Sequence, residues 1–371
     1  MSDLTKFDSY LSNDGPAALV MREYLMPVEG KDGVLFPATF AAGDNFPGGY
    51  NIDGNLNGEN VCLIDSVGSQ ANRIEPLFAE KEYAELIPQV IVKAGETSVN
   101  ILEAGHRAGD ALVRCSALQQ ELQDAFKAVL RGNAEPMAKV APTSLVFGVW
   151  DSRDTYAKVP RLIASTIRAF NVRELRRYAQ FVPAVDYVSE GILEEPDDLR
   201  DADGKIKGKH PFAQRGFSHI PVTKPESTHG GVIATGGIRR DATLGLAALR
   251  LLAAGDDKKK TLALQRYVLG LALTAFTHNP SGYLRQGCLL VLAPEKPREF
   301  VEVYPSGERK PAEITHNMAL DYAKSVAKAF GVGESRTVDF DKDKAKKDVA
   351  GEGNTKKKGK KGRKAAAAEA Q

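Results

Sequence analysis

Little in the 371-residue chain points to chemistry. Three cysteines, Cys62, Cys115 and Cys288, stand far apart without a CxxC pair, which fits reduced thiols filling a core better than a disulfide framework or a metal site. The six histidines are scattered, and no HExxH or HxH spacing joins them, so neither a metal nor a cofactor is expected. There is no GxSxG elbow, no Walker loop and no GxGxxG. No apolar run reaches the ~18 residues that a membrane span needs. The opening MSDLTKFDSYLSNDGPAALV carries early acids and no apolar stretch of the secretory kind. A cytoplasmic protein that contacts no membrane is the expectation. Tryptophan occurs once, at Trp150.

Strong net charge is missing as well, since +2 is an average over two unlike parts. Residues 341–371 hold 11 basic and 5 acidic residues, leaving 39 basic and 43 acidic residues in 1–340. A mildly acidic body does not coat nucleic acid over its whole surface, so any such binding must use local basic patches. The 341–371 segment, rich in Lys and Ala, has too little to bury to offset the entropy of ordering, and disorder is expected there.

Ordinary globular composition is what remains, 43% hydrophobic and 26% charged. The body reads as α+β, one domain over 1–340. Strands are expected at 33–40, 59–66, 144–151, 230–238 and 286–294. Helices are expected at 66–80, 106–131, 239–255, 261–277 and at the end of the body, from Glu313. Residues 153–181 read as a basic amphipathic stretch with Leu162, Ile163 and Ile167 on its apolar face. Long polar insertions at about 41–58 and 186–228 interrupt the pattern, the second holding Pro196, Pro211, Pro221 and Pro225 with the run EEPDDLRDADG.

Four segments stand out as binding candidates. In GGVIATGGIRRDATL (230–244) a strand runs through glycines toward the expected helix, an arrangement that exposes backbone N–H groups to an anion beside Arg239 and Arg240. Residues 153–177 carry seven basic against two acidic residues, with Lys158, Arg161, Arg168 and Arg173 placed to track a phosphate backbone. DSVGSQANRIE (65–75) gathers Ser69, Gln70, Asn72 and Arg73 at a helix start, donors suited to phosphates and 2′-hydroxyls. Arg285 enters the strand at 286–294. Each also has a plainer explanation as a solvated or capping group. His229, before two glycines, is the one candidate acid or base for an RNA-processing enzyme.

Taken in order, DSVGSQANRIE, SLVFGVWDS with KVPRLIASTIRAFNV, GGVIATGGIRRDATLGLAALR and LRQGCLLV resemble the backbone subunit of type I-G (formerly I-U) CRISPR surveillance complexes, the Csb-one proteins grouped with the Cas-seven RAMP family. The resemblance runs from about residue 33 to 294. It implies an RRM-like (ferredoxin-like) palm with inserted thumb and finger loops. It implies a non-catalytic subunit of a Cascade-type complex in antiviral defence, stacking with copies of itself and other Cascade subunits along a crRNA guide that pairs with target DNA. The arginines and polar residues named above would then meet RNA.

Overall fold

The computed structural model describes residues 4–54, 59–177, 181–219, 229–279 and 281–350. Its centre is an antiparallel sheet built from strands distant in sequence: β1 (Ala18–Pro27), β2 (Ile52–Gly54), β3 (Asn60–Asp65), β4 (Ile163–Phe170), β5 (Ile238–Gly245), β6 (Tyr283–Arg285), β7 (Cys288–Leu292), β8 (Glu299–Val303) and β9 (Arg309–Pro311). The spatial order is β6-β7-β1-β5-β4-β3-β2. One edge of β1 pairs with β5, and the other is shared, with β8 along Ala18–Arg22 and β7 along Leu25–Pro27. A smaller sheet joins 336–339, 90–94 and 97–100.

Period-two alternation explains why these segments are strands. On one face β1 buries Leu19, Met21 and Glu23, β4 buries Ile163, Ser165, Ile167 and Ala169, and β5 buries Ile238, Arg240, Ala242 and Leu244. Helices that accompany the sheet include α1 (Val67–Ile74), α2 (Gln119–Leu130), α3 (Lys258–Thr277) and α4 (His316–Phe330). Asp257 caps α3 by accepting from the Lys259 and Lys260 amides. From Leu264 onward α3 is buried almost all round, as expected of a helix packed between other layers. Gly270 lets it press against α4, since a Cβ there would lie 2.8 Å from Val326 Cγ2 and 2.9 Å from Ala323 Cα. The α3, α4 and α2 side chains form the main core with one half of the sheet. Leu35, Tyr50 and Leu284 of β6 pack on the other half in a second cluster with Cys62, Ile64, Ile167, Ile238 and Cys288. All three cysteines are buried and free, and burial pushes the Cys62 thiol up to about 12. Among the described residues no helix is long and apolar enough to cross a membrane.

Several expectations are corrected. Residues 239–255 are not a helix: 238–245 is β5, paired on both sides, and only Leu246–Leu249 turn helically. The 153–181 stretch holds β4 and a second strand, Val172–Arg176, in place of an amphipathic helix. Its Leu162, Ile163 and Ile167 fit a helical face, but two neighbouring strands claim the backbone hydrogen bonds, and tertiary pairing outweighs local propensity. Residues 143–147 are helical, and only Val149–Trp150 are strand after Gly148, whose φ of 77° breaks the run. The 106–131 helix is divided, with α2 preceded by short turns at 107–109 and 111–114 that Asp110 separates. Within 33–40 only Thr39–Phe40 are strand, and within 41–58 Ile52–Gly54 joins the central sheet. The segment expected to be disordered from 341 begins instead with a helix, Lys342–Ala350, tied to the body by Arg114–Asp348 at 2.6 Å and by Lys344 Nζ donating to the Ser116 carbonyl. Residues 351–371 lie outside the described residues.

Candidate nucleic-acid interface

The face of the sheet turned away from the helices carries the complementary half of the alternation. Cross-strand partners point to one side, so the register Tyr24↔Arg239↔Arg168 sets three side chains in a row across β1, β5 and β4. The next row is Arg22↔Asp241↔Thr166. Neighbouring strands are about 4.8 Å apart, so each row spans about 10 Å, wide enough for one or two stacked bases. Phe170 extends the platform: the Arg239 guanidinium carbon lies 4.8 Å from its ring centroid, and Lys296 Nζ lies 4.7 Å from that of Tyr24. A groove of about 680 Å³ runs along this end, lined by Tyr24, Phe170, Arg239 and Lys296, and also by Asp32 and the Lys31–Glu295 ion pair at 2.9 Å. Its outer wall is the turn Thr235-Gly236-Gly237, where Gly236 comes so close to Phe170 that a Cβ would lie 2.8 Å from that residue's carbonyl oxygen.

Charge on this face is balanced unevenly. Asp241 accepts from Arg22 at 3.0 Å and from Arg239 at 2.8 Å, which keeps both guanidinium groups half-buried and aligned. Arg168 donates only to the Thr166 hydroxyl, at 2.6 Å, and has no carboxylate partner among the described residues. The row therefore offers one unneutralised guanidinium beside two aromatic rings and a second guanidinium held in place.

The sequence-derived candidates divide into five groups. Arg168 and Arg239 meet on the open face. Arg240, one residue along the same strand, points the other way: its Nη1 lies 2.7 Å from Glu23 Oε2, and both side chains are about 5% exposed or less. From there a chain of polar contacts crosses the buried face, from Arg240 to Ser165 at 3.1 Å, Ser165 to Gln70 at 3.0 Å, and Gln70 to Asp65 at 2.7 Å. Asp65, fully buried, also receives Arg73 at 3.1 Å and Arg285 at 3.2 Å. This belt separates the two apolar clusters. Within it the buried Gln70 and Arg240 are satisfied by Asp65, Ser165 and Glu23, as buried polar groups must be, while Arg73 and Arg285 reach Asp65 with side chains still 31% and 25% exposed. Ser69 and Asn72 lie on α1, whose cap is the Ser66 hydroxyl accepting the Ser69 amide at 3.2 Å. Asn72 is exposed. Arg173 is exposed on the strand 172–176, which pairs with 229–234 to carry the β4–β5 ribbon outward toward the 181–219 arm. Lys158 and Arg161 precede β4, at the end opposite Phe170. The anion site expected at a helix N-terminus after Gly237 does not form, because the backbone N–H groups there belong to the β ladder.

Tyr24, Phe170, Arg22 and Lys296 were not anticipated. The signal was present in MREYLM (21–26) and STIRAF (165–170), where polar or aromatic residues alternate with apolar ones. His229 packs its ring 4.9 Å from that of Tyr50 and lies 3.7 Å from Glu174. It is wedged against Gly49, where a Cβ would come within 2.4 Å of the imidazole, a structural position in a packed wall.

No curated protein matches the chain. Residues 19–174, which span β1 to the strand at 172–176 and so include Tyr24, Arg168 and Phe170, match the family described as CRISPR-associated protein GSU0053, and this match supports a CRISPR-associated protein.

Proposed function

We propose that the chain is a non-catalytic backbone subunit of a Cascade-type CRISPR surveillance complex, of the type I-G class, that holds guide crRNA while the guide pairs with target DNA. The observation that carries this reading is the row Tyr24–Arg239–Arg168 with Phe170 on an open antiparallel sheet. Aromatic rings there can stack unpaired bases and guanidinium groups can take phosphates, the division of labour of single-strand RNA recognition on a sheet. Sequence is then read by base pairing and not by the protein. The strand order β7-β1-β5-β4, with helical segments between β1 and β4 and α3 between β5 and β7, is the order of a ferredoxin-like βαββαβ unit, and we assign the palm to that class. Copies of the chain would stack through heterologous contacts, which close into rings or extend as filaments. Exposed apolar residues at Phe181, Val182 and Ile192 on the arm and at Tyr283 and Leu292 on the edge hairpin supply two unlike surfaces for such contacts.

The test is co-purification. The wild-type chain should carry RNA, and Arg168→Ala with Arg239→Ala should lower retention. Asp241 keeps Arg22 as its partner in that variant, so the fold should persist. Each lost phosphate contact should also flatten the dependence of log affinity on log salt by about 0.7. Unchanged retention with an unchanged slope would remove the open face from contention. Specific cleavage of a guide precursor that His229→Ala abolishes would favour an RNA-processing enzyme instead.

A further inference from the structure

At the far end of β4 from Phe170, a second pocket of about 660 Å³ opens between the 105–109 turn and the 148–161 hairpin. Its lining includes His106, Arg107, Trp150, Lys158 and Arg161 and contains no carboxylate. Trp150 is 54% exposed, and Lys158 Nζ lies 4.7 Å from its ring centroid. Arg161 is exposed and, like Lys158, has no acidic partner among the described residues. Its side chain lies along Gly148, where a Cβ would come within 2.6 Å of Arg161 Cγ. Gly148 holds φ at 77°, a conformation that leaves this position to glycine.

Arg107 adds an independent observation. Its side chain is 5% exposed, its Nε lies 2.5 Å from Glu75 Oε2, and its Nη1 donates to the Gly148 carbonyl at 3.2 Å. Its Nη2 is buried and has no partner. The residue sits at φ 50°, a left-handed conformation unfavourable to a non-glycine residue that persists where surrounding structure enforces it. Burial pushes the Glu75 carboxyl up to about 7, against the Arg107 charge and hydrogen bond that draw it down. Burial and the nearby Arg107 charge both act against the charged form of Arg161. The pocket thus holds two cations without an acidic partner, Lys158 and Arg161, and the unpartnered Arg107 Nη2, beside an exposed indole.

We propose that this pocket is a second single-stranded nucleic-acid site, separate from the open face, in which Arg161, Lys158 and the Arg107 charge hold a phosphodiester and Trp150 stacks an unpaired base. Ile163 to Phe170 spans about 23 Å of strand, so one short segment of four or so nucleotides cannot fill both sites without running the length of β4. The inference shares with the reading above only the class of ligand. An acidic protein segment is the rival occupant, but it has no use for an exposed indole whose face already attracts cations.

Trp150 is the sole tryptophan, so its emission reports on this pocket alone. Full-length protein stripped of nucleic acid at high salt is titrated with a short oligouridylate. Saturable quenching is expected, at least tenfold weaker in Arg161→Glu and also weakened in Lys158→Ala, with both variants checked for a wild-type melting profile. Quenching should persist in Arg168→Ala/Arg239→Ala. If that pair loses co-purified RNA while Trp150 still responds, the two sites are independent. If wild type carries no RNA but Trp150 still responds, the reading above fails and this one stands. Absence of quenching overturns it, as does quenching indifferent to both Arg161→Glu and Lys158→Ala. Equal quenching by a peptide of residues 193–204 overturns it in favour of an acidic protein partner.

Discussion

Arg239 and Arg240 are adjacent in the chain and lie on opposite faces of β5. Arg239 is half-exposed against Phe170 and held by Asp241, whereas Arg240 is buried against Glu23. Equivalent substitutions should therefore fail in different ways. Removing one partner of a buried ion pair leaves the other charge uncompensated and costs about 3–5 kcal/mol. Glu23 retains only Arg298, at 3.4 Å and at the edge of the belt. Arg240→Ala should thus lower the urea midpoint strongly without changing the fraction of RNA carried per folded molecule. Arg239→Ala should leave the midpoint within about 1 kcal/mol, as for an exposed pair, and lower RNA carried. A stable Arg240→Ala that loses RNA would reverse these assignments. A pair of adjacent arginines was legible in the sequence as a functional signal. Which one faces outward was not, because that follows from strand parity, and the residues were read on a helix.

The strands of the central sheet show how far local pattern reaches. α3 and the last helix of the body were legible: α3 is a long apolar run behind the Asp257 cap, and the last helix is amphipathic and capped by Thr315. β4 and β5 were not, since Leu162, Ile163 and Ile167, or Leu244 to Leu252, satisfy a helical spacing as well as an alternating one. Only pairing with strands distant in sequence decides between them. β1 went unread for a similar reason: Arg22, Glu23 and Tyr24 interrupt its apolar run, and their alternation has meaning only once Glu23 has Arg240 beneath the sheet. Packing between helices offers a test at this scale. In an exposed helix interior Gly→Ala gains up to about 1 kcal/mol. At Gly270 the new methyl meets the Ala323 backbone and Val326, so Gly270→Ala should instead destabilise by about 1–3 kcal/mol. A urea midpoint that rises would show that α3 and α4 can separate at no cost.

At the scale of the molecule, the two candidate sites lie at opposite ends of β4, and the arm lies beyond the far end of the ribbon that continues it. The arm has its own small nucleus: Leu199 and Ala213 are buried, and the Phe217 ring packs against Tyr187 and Phe212. Local bonds brace it, including Arg200 with Glu195 at 2.6 Å and His210 with Asp198 at 3.1 Å. It also leaves Phe181, Val182, Val185 and Ile192 exposed, a concentration of apolar surface that a soluble monomer rarely tolerates without a partner. An element that folds locally, projects on a ribbon and presents apolar side chains is suited to grip a neighbouring copy or close over its RNA. Deleting 190–226 and joining the ends with a short Gly-Ser linker should leave the melting transition and the open-face RNA contact intact, because the apolar clusters beneath the sheet contain no arm residue. The same deletion should abolish assembly on a long guide, so that light scattering reports isolated subunits where the full chain gives extended particles. Filaments of unchanged mass per length would show that the arm is dispensable for stacking and would shift that role to the exposed edge hairpin at 283–292.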